Sequence, residues 1–413
     1  MRVSIHTLGT RGDVQPYLAL AREMRSRGHE VMLVAPAQFA DMAAAEQIGF
    51  APLPAEFLET LESSEAKSVI GGSGGGFGAG LKLIKHYVGM MSEIFDREWA
   101  AARDFGPDAI LFHPKSLVSP HIAQKLGIPA ILASPLPGFT PTSAFPTPIL
   151  PFGNLGPLNR LSHGLMIHGG GVLFGKAIRK WRVDSLGLPP RGRINPPAAV
   201  LFGYSPSVLP KPADWGADVA VTGYWTLTAP AWSPDPGLAR FLQAGEAPVY
   251  IGFGSMPEAD PEGLTRRVID GVRLAGKRGL LGIVGGALTE IPAGEDIHFI
   301  QSAPHDALFP LVASTIHHGG AGTTGASLRA GKPTTICPFL GDQPFWGRQV
   351  ARLGVGPDAL DKRRLSAEDI AAAITFMDDE AVKDRASALG RLIRAEDGTA
   401  SAVDIVERTI ATR

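Results

Sequence analysis

The sequence predicts an α/β protein of two domains, each built on a parallel sheet, and three observations carry that expectation. The chain opens on a strand, loop, helix and strand between Arg2 and Ala35. The same rhythm restarts near Pro248, after a stretch poor in regular pattern. A length of 413 residues exceeds one ordinary domain, so two domains of roughly 200 residues are the natural division. Successive strands joined through a helix pair in parallel, which fixes the sheet type.

Composition narrows the class. Apolar residues make up 45% of the chain, enough for two cores. The net charge is −1 and no long basic run occurs, which argues against a nucleic-acid partner. Glycine (50) and proline (35) are abundant, as many short loops around a sheet require. The single cysteine, Cys337, lies inside an apolar strand pattern and reads as a buried thiol, with no disulfide possible within one chain. The first residues form a strand pattern without a leader-like segment, and no apolar run nears about 20 residues, so a cytoplasmic protein without a membrane span is expected.

In the first half, Arg2 to Thr7 reads as a strand and Leu8 to Gln15 (LGTRGDVQ) as a glycine-containing loop. An amphipathic helix follows from Pro16, with the proline tolerated in its first turn and Gly28 closing it. Val31 to Ala35 is the second strand. A dinucleotide fold would place GxGxxG after the first strand and an acid at the end of the second; here stand GTRGD and Pro36, which disfavours a nicotinamide cofactor. Ala43 to Gly49 reads as helix and Phe50 to Leu53 as a short strand. Gly71 to Gly80 (GGSGGGFGAG) reads as a mobile loop at the sheet's carboxyl edge or a plain surface insertion, not a phosphate loop, since no GKS or GKT follows. Leu81 to Phe105 and Ser119 to Leu126 read as helices, Asp108 to His113 and Pro129 to Ser134 as strands. Pro135 to Leu158 is rich in proline, phenylalanine and threonine and fits no regular element. Such a segment suits a binding loop, with Phe139, Phe145, Pro146, Ile149 and Phe152 either lining an apolar pocket or covering the domain's own core. Asn159 to Leu186 reads as one or two helices, with Met166 and His168 packing around a close approach at a triple glycine. Val200 to Tyr204 is a strand, and Pro206 to Val221 reads as irregular.

An interdomain linker is expected over residues 212–235, separating a domain of residues 1–211 from one that begins at 236. Its aromatics (TGYWTLTAPAW, from Thr222) either brace the two domains or touch a ligand between them. Pro248 to Phe253 is then a strand ending in Gly254-Ser255. Pro261 to Ala275 is a helix, Arg278 to Val284 a strand, and His298 to Ile300 a short strand before QSAPH (Gln301 to His305). Ser366 to Met377 reads as a helix capped by Ser366 with Asp369 at its third position, and two more helices follow, Asp379 to Leu392 and Ala400 to Ile410. Two such domains in tandem leave a cleft faced by the carboxyl ends of both sheets.

The richest stretch runs from His317 to Gly347, HHGGAGTTGASLRAGKPTTICPFLGDQPFWG. A strand that ends in small residues and opens a helix leaves N–H groups pointing outward, a ready phosphate site. Gly319, Gly320 and Gly322 let a diphosphate approach the backbone, Thr323 and Thr324 can donate hydroxyls, and His318 can add one more hydrogen bond. Asp342 and Gln343 offer the acid and amide that hold vicinal hydroxyls, with Trp346 near enough to pack on a sugar face; a polar loop with a core tryptophan is the other reading. On the first sheet's edge, Asp13 can accept a proton from a hydroxyl if its surroundings suit; it equally favours a helix N-terminus, and Arg11 is close enough to pair with it. Ser255 is a weaker candidate at a parallel strand end, and His6 reads as structural. The chain contains no Asp-x-Asp, HExxH or CxxC, so no metal-ligand pattern is present.

These segments together resemble the inverting nucleotide-sugar glycosyltransferases of the GT-B fold (family GT1), most of all the sterol glucosyltransferases and bacterial antibiotic glycosyltransferases. The matching pieces are GTRGDVQP (Gly9 to Pro16), FGSM (Phe253 to Met256), SAPH (Ser302 to His305), HHGGAGTT (His317 to Thr324) and GDQPFWG (Gly341 to Gly347). The resemblance implies two Rossmann-like domains, 1–211 for the acceptor and 236–390 for the nucleotide sugar, with a C-terminal helix in 391–413 returning to the first domain. It implies Asp13 as the base toward the acceptor and His318 with Gly320, Gly322, Thr323 and Thr324 at the diphosphate. Asp342 and Gln343 would hold the donor sugar, with Arg11, Gly12, Ser255, Gln301, Ser302 and His305 also on the donor side. Plant members carry a tryptophan near Gln301 to His305 and a histidine in place of Asp13; this chain has neither. No permanent cofactor and no metal are implied, and UDP-glucose is the expected donor. The apolar loop residues Phe139, Phe145, Ile149 and Phe152 point to a hydrophobic acceptor, either sterol-like or a polyketide or peptide aglycone, with peripheral membrane contact open. A nucleotide-sugar epimerase or hydrolase, and a non-catalytic binding subunit, are the competing readings.

Overall fold

The computed structural model describes residues 1–55, 77–227, 232–256 and 258–412, with backbone alone for 77–88. The first sheet has seven parallel strands: β1 (Arg2–His6), β2 (Glu30–Pro36), β3 (Gly49–Leu53), β4 (Ala109–Phe112), β5 (Ala130–Ser134), β6 (Ala199–Phe202) and β7 (Val219–Val221). Their order is β3-β2-β1-β4-β5-β6-β7. The helices around it are α1 (Arg11–Ser26), α2 (Ala40–Ala45), α3 (Phe77–Phe105), α4 (Ser119–Leu126), α5 (Asn159–Ser162) and α6 (Gly164–Asp184). The second sheet has five parallel strands, β8 (Val249–Gly252), β9 (Gly279–Gly282), β10 (Ile297–Ile300), β11 (Ser314–His317) and β12 (Thr334–Ile336), in the order β10-β9-β8-β11-β12. Its helices are α7 (Pro236–Gln243), α8 (Pro261–Leu274), α9 (His305–Leu308), α10 (Ala321–Arg329), α11 (Gln343–Arg352), α12 (Ala367–Asp378), α13 (Glu380–Ala395) and α14 (Gly398–Ala411).

In each sheet the order reverses beside the first strand of its domain, at β1 and β8. Such switch points open a crevice at the carboxyl ends of the strands. His6 stands opposite Val34 on one side and Phe112 on the other, so the segments leaving β1 and β4 emerge side by side.

The structure departs from the sequence reading at several places. Helix α1 starts at Arg11 rather than near Pro16, because Thr10 and Asp13 form a capping box at its start. Pro16 sits inside the helix, where it withholds one backbone bond from the Gly12 carbonyl without ending the helix. Residues 219–221, read as irregular, form β7, the edge strand of the first sheet; three residues are too few to show a period. Of the glycine-rich stretch, residues 71–76 lie outside the described residues and Phe77 to Gly80 open α3.

The linker aromatics act as braces. Trp225 is buried against the first core and meets Tyr17 edge-on at 5.9 Å. Tyr224 lies on α10 at Gly325, where an added Cβ would come within 2.6 Å of its ring. The C-terminal helix α14 packs on α1, and its Ala402, Val403 and Val406 complete the first domain's core beside Leu18 and Leu33. Arg27 holds it with bonds to Asp404 (2.5 Å) and Glu407 (3.3 Å). A second cluster joins the domains directly: Phe145, Phe202, Tyr204 and Trp215 meet Phe345, Trp346 and Ile393.

Candidate active site

Asp13 is the third residue of α1, and its position follows from the turn before it. Oδ2 accepts the backbone N–H of Thr10 at 2.9 Å. Gly9 makes this possible. Its φ of +140° is a conformation that disfavours side chains, and a Cβ there would fall 2.1 Å from Asp13 Oδ2. The other oxygen, Oδ1, faces β4: Lys115 Nζ donates to it at 2.8 Å and His113 Nε2 lies 3.4 Å away. Burial pushes this carboxyl up, but the Lys115 charge, the neighbouring His113 ring and the hydrogen bonds from Lys115 and Thr10 outweigh it and hold it below the usual carboxylate range. The sequence reading paired Asp13 with Arg11. Instead Arg11 donates to Gln15 Oε1 at 2.9 Å, one turn along its own helix.

His113 and Lys115 are the residues that sequence reasoning missed. They follow β4 as His113-Pro114-Lys115, and β4 is the neighbour of β1. The signal was present: a basic pair just past the strand next to the one that delivers Asp13. Strand order, which the sequence does not state, is needed to see it. His113 is buried, and burial pushes its imidazole down to about 3, so it is neutral. Its Nδ1 accepts the backbone N–H of Lys115 at 3.0 Å. The ring proton therefore sits on Nε2, aimed at Asp13 Oδ1. Behind this pair lies a buried network in which Ser116 and Ser119 both bond Glu98, and Ser119 also bonds His6 Nδ1 at 3.0 Å. His6 is thus held in the core.

Across the cleft, β11 delivers His317 and His318 to the start of α10. His317 Nδ1 accepts the Gly319 N–H at 3.0 Å, which shapes the turn, and Gly319 has φ +94°. Gly320 is the N-cap of α10 and no side chain caps the helix, so the N–H groups of Ala321, Gly322 and Thr323 have no partner within it. His318 lies beside this terminus. Its Nδ1 is buried without a hydrogen-bond partner, and burial pushes the imidazole down to about 4. A neutral histidine with an orphaned nitrogen next to open helix N–H groups is an anion-binding arrangement. The two threonines differ. Thr324 is buried, and both its hydroxyl and its N–H bond the Gly320 carbonyl; Thr323 is half-buried beside the open end.

At the start of α11, Asp342 is half-buried with Oδ2 accepting the Trp346 indole N–H at 2.7 Å. Burial pushes this carboxyl up, against the Trp346 bond, and the Asp13 charge adds to the rise. Gln343 is buried. Its Oε1 is taken by the N–H groups of Phe339 (2.6 Å) and Leu340 (3.0 Å), and its amide nitrogen faces Met256 Sδ at 3.3 Å. Trp346, read from sequence as near enough to stack on a sugar, is fully buried in the interdomain core, because its ring completes the cluster around Tyr204. Its role here is to hold Asp342.

The remaining candidates are spread along both rims. Arg11 and Gly12 are exposed at the start of α1, and the Arg11 charge acts on His305 of the other domain. His305 stacks on Phe309 at 4.4 Å and is pushed down to about 4 by burial, with His318 and Arg11 adding to the shift. Ser255, Gln301 and Ser302 are exposed past β8 and β10. The apolar loop residues do not form one wall. Phe145 is buried against Phe345 at 5.5 Å, Phe139 is half-buried, and Ile149 and Phe152 are on the surface. Among the described residues no group of His, Cys, Asp and Glu is arranged to hold a metal ion. No helix among them is long and apolar enough to cross a membrane.

Two parallel sheets facing a cleft, with an acid on one rim and an anion-binding turn on the other, define a GT-B architecture. Residues 3–146 match the glycosyltransferase family 28 N-terminal domain, and residues 285–409 match the erythromycin biosynthesis protein CIII-like C-terminal domain. Sterol 3-beta-glucosyltransferase UGT80B1 of Arabidopsis thaliana is 33% identical over 423 residues, covering 99% of this chain and 68% of that protein. The sterol 3-beta-glucosyltransferase of Emericella nidulans is 34% identical over 432 residues, but the chain spans only 30% of its length. Among solved structures, the glycotransferase of kitacinnamycin has a TM-score of 0.73 at 20% identity, covering 99% of both chains, and the calicheamicin glycosyltransferase CalG4 a TM-score of 0.68 at 19% identity, covering 99% of this chain and 98% of that one. The chain belongs to the GT1-type glycosyltransferases of the GT-B fold, together with the sterol 3-beta-glucosyltransferases.

Proposed function

We propose that the protein transfers a hexose, with inversion, from UDP-glucose to a hydroxyl of a hydrophobic acceptor, a sterol or a natural product of similar character, inside the cell. The observation that carries this reading is the Asp13 carboxylate, held by Lys115 and His113, on the rim opposite the open N-terminus of α10 and the orphaned Nδ1 of His318. The Asp13 and Lys115 charges both act on Asp342, which puts base and sugar-holding acid within reach of one bound donor.

The acceptor oxygen attacks the anomeric carbon as its proton passes to Asp13. The bond from that carbon to the β-phosphate oxygen breaks, and the negative charge moves onto the leaving diphosphate. The N–H groups of residues 321–323 and the N–H of neutral His318 stabilise that charge, which grows only as the bond breaks. Thr323, Ser255 and Arg11 add polar contacts to the phosphates, with Gly12 leaving room. Asp342 accepts sugar hydroxyls on its unbonded oxygen, and Gln343 shapes the 339–340 loop and offers only its amide N–H. Gln301, Ser302 and His305 border the nucleobase. Residues 1 to about 221 serve as the acceptor domain, since β7 belongs to the first sheet, which shortens the linker from 212–235. Residues 236–390 serve the donor, and 391–413 tie the two.

Support for the acceptor class comes from the sterol 3-beta-glucosyltransferase relatives, and for a nucleotide-sugar donor from a fold neighbour, SsfS6, solved with thymidine diphosphate. The test is mass spectrometry of purified protein with UDP-glucose and a panel of sterols, macrolides and flavonoids, with metal chelated. One added hexose on a sterol is the expected result. UDP release without a glycosylated product would indicate a hydrolase or a missing acceptor. Neither product nor UDP would overturn UDP-glucose as donor.

A further inference from the structure

The outer face of helix α6, with α5 before it, exposes apolar side chains that nothing among the described residues covers. Leu161, Leu165 and Val172 are 74%, 55% and 83% exposed, and Leu173 is 48% exposed. The spacing 161, 165, 168, 172, 176, 179, 183 is that of one helical stripe, and each of those residues is exposed. Along the stripe Leu161, Leu165 and Val172, with His168 among them, give way to Lys176 and Arg179 before Val183. An apolar face of this size is unusual for a surface in water.

Charge identifies the occupant. From residue 109 to 213 the chain carries ten lysines and arginines and one acid, Asp184, although the whole protein is at −1. Lys176, Arg179, Lys180 and Arg191 line one open recess of about 600 Å³ at the basic end of the stripe, where Lys180 also bonds Asp184. Apolar residues flanked by cations fit the boundary of a bilayer, where the side chains enter the acyl region and the cations meet anionic headgroups. The inner side of the same helix faces the acceptor machinery. A Cβ added at Gly170 would fall 2.7 Å from the Leu117 side chain, two residues from Lys115, and one added at Gly138 in the proline-rich loop would fall 2.3 Å from Met166 Sδ.

We infer that α5 and the outer face of α6 dock this protein on an anionic lipid surface, with the acceptor side of the cleft next to the membrane. Binding itself does not depend on the transferase reading; delivery of a membrane-borne acceptor does.

The experiment is co-sedimentation of the full chain with vesicles of phosphatidylcholine, alone or mixed with phosphatidylglycerol, with no substrate present, so that failure here is separate from failure of glycosyl transfer. Wild-type protein should sediment with the mixed vesicles. The triple variant Leu165→Ser, Val172→Ser, Leu173→Ser should bind them about ten-fold more weakly or less. The double variant Lys176→Glu, Lys180→Glu should lose the preference for phosphatidylglycerol. All five positions are exposed, and an unchanged thermal midpoint confirms that the variants fold. Wild type remaining in the supernatant with both vesicle types overturns the inference, as does equal sedimentation of all three proteins. Light scattering that shows a wild-type dimer, monomeric in the triple variant, without vesicle binding assigns the face to a second copy instead and likewise overturns it.

Discussion

Lys115 Nζ and Asp13 Oδ1 stand 2.8 Å apart, joining the segments that leave two neighbouring strands of the first sheet. The lysine is half-exposed, while the carboxylate is only 18% exposed. A carboxylate stabilised as an anion is a weaker base, so this contact keeps Asp13 ionised at neutral pH and limits its proton affinity. Replacing Lys115 with Met should therefore move the acidic limb of the kcat/KM profile to higher pH and leave the alkaline limb in place. Asp13→Asn should lower kcat by about 10²–10⁴-fold with folding intact. An acidic limb that stays put in Lys115→Met would show that the limb does not belong to Asp13.

Gly9 makes the geometry of the Asp13 carboxylate possible. Alanine at this position meets Asp13 Oδ2 at 2.1 Å and must adopt φ +140°. Either the turn opens or the carboxylate leaves its bond with Thr10. Gly9→Ala should lose about 1–3 kcal/mol of stability and most activity, while the KM for UDP-glucose changes little. A crystal structure or a urea titration of the variant checks the first effect, and steady-state kinetics the second. Full activity in Gly9→Ala would show that the observed Asp13 position is not the working one.

In the proposed mechanism His318 acts as a neutral donor. Removing it leaves the helix N–H groups in place but takes away one hydrogen bond to the leaving group. His318→Ala should lower kcat by on the order of 10²-fold, with a smaller change in KM for the donor. His318→Gln, which keeps an N–H, should recover part of that loss. If both variants fall equally and chiefly in KM, His318 binds the donor in the ground state instead.

The parallel sheets, the two domains and the glycine-rich turn between β11 and α10 were legible in the sequence because each is local: a strand, small residues and a helix within ten positions. What was not legible depends on neighbours distant in the chain. Lys115 lies 102 residues from Asp13 and meets it only because β4 pairs with β1. Trp346 could be read as a ligand platform or a core residue because a tryptophan beside polar residues gives no sign of which side faces the core, and the structure puts it in the core. Thr324 looked equivalent to Thr323, yet helix geometry turns its hydroxyl back to Gly320. The helix start at Arg11 was hidden by Pro16, a residue usually placed in the first turn, which here sits in the second.

Trp346 and Asp342 make a second test of positioning. The indole N–H holds Oδ2 at 2.7 Å, and in the proposed mechanism the other oxygen meets the sugar. Trp346→Phe keeps an aromatic ring in the core but removes that donor, so burial acts on Asp342 with less opposition and its carboxyl rises further. The KM for UDP-glucose should increase while inhibition by UDP, which lacks the sugar, stays near the wild-type value. Loss of the hydrogen bond should also cost about 1–2 kcal/mol of stability. A parallel weakening of UDP would place the effect on the fold of the donor domain rather than on the sugar.

Burial of neutral histidines gives the protein a specific weakness toward acid. His113 is pushed down to about 3, His121, His305 and His318 to about 4, and His317 well below its ordinary value of 6.5, in each case by burial first. The unfolded chain binds protons at these sites once the pH falls below about 6.5, while the folded chain does not until about 4 or lower. The stability they permit is therefore complete above pH 6.5 and is lost as the pH falls toward 4. Each histidine can contribute up to about 1.4 kcal/mol per pH unit in that window. The urea midpoint should thus fall steeply between pH 6.5 and 4.5. Replacing His121 with Gln, away from the cleft and beside Arg182, should make the decline shallower by close to one proton while leaving activity at pH 7.5 unchanged. A midpoint that stays flat through this range would mean that the histidines titrate in the folded protein as they do in the open chain.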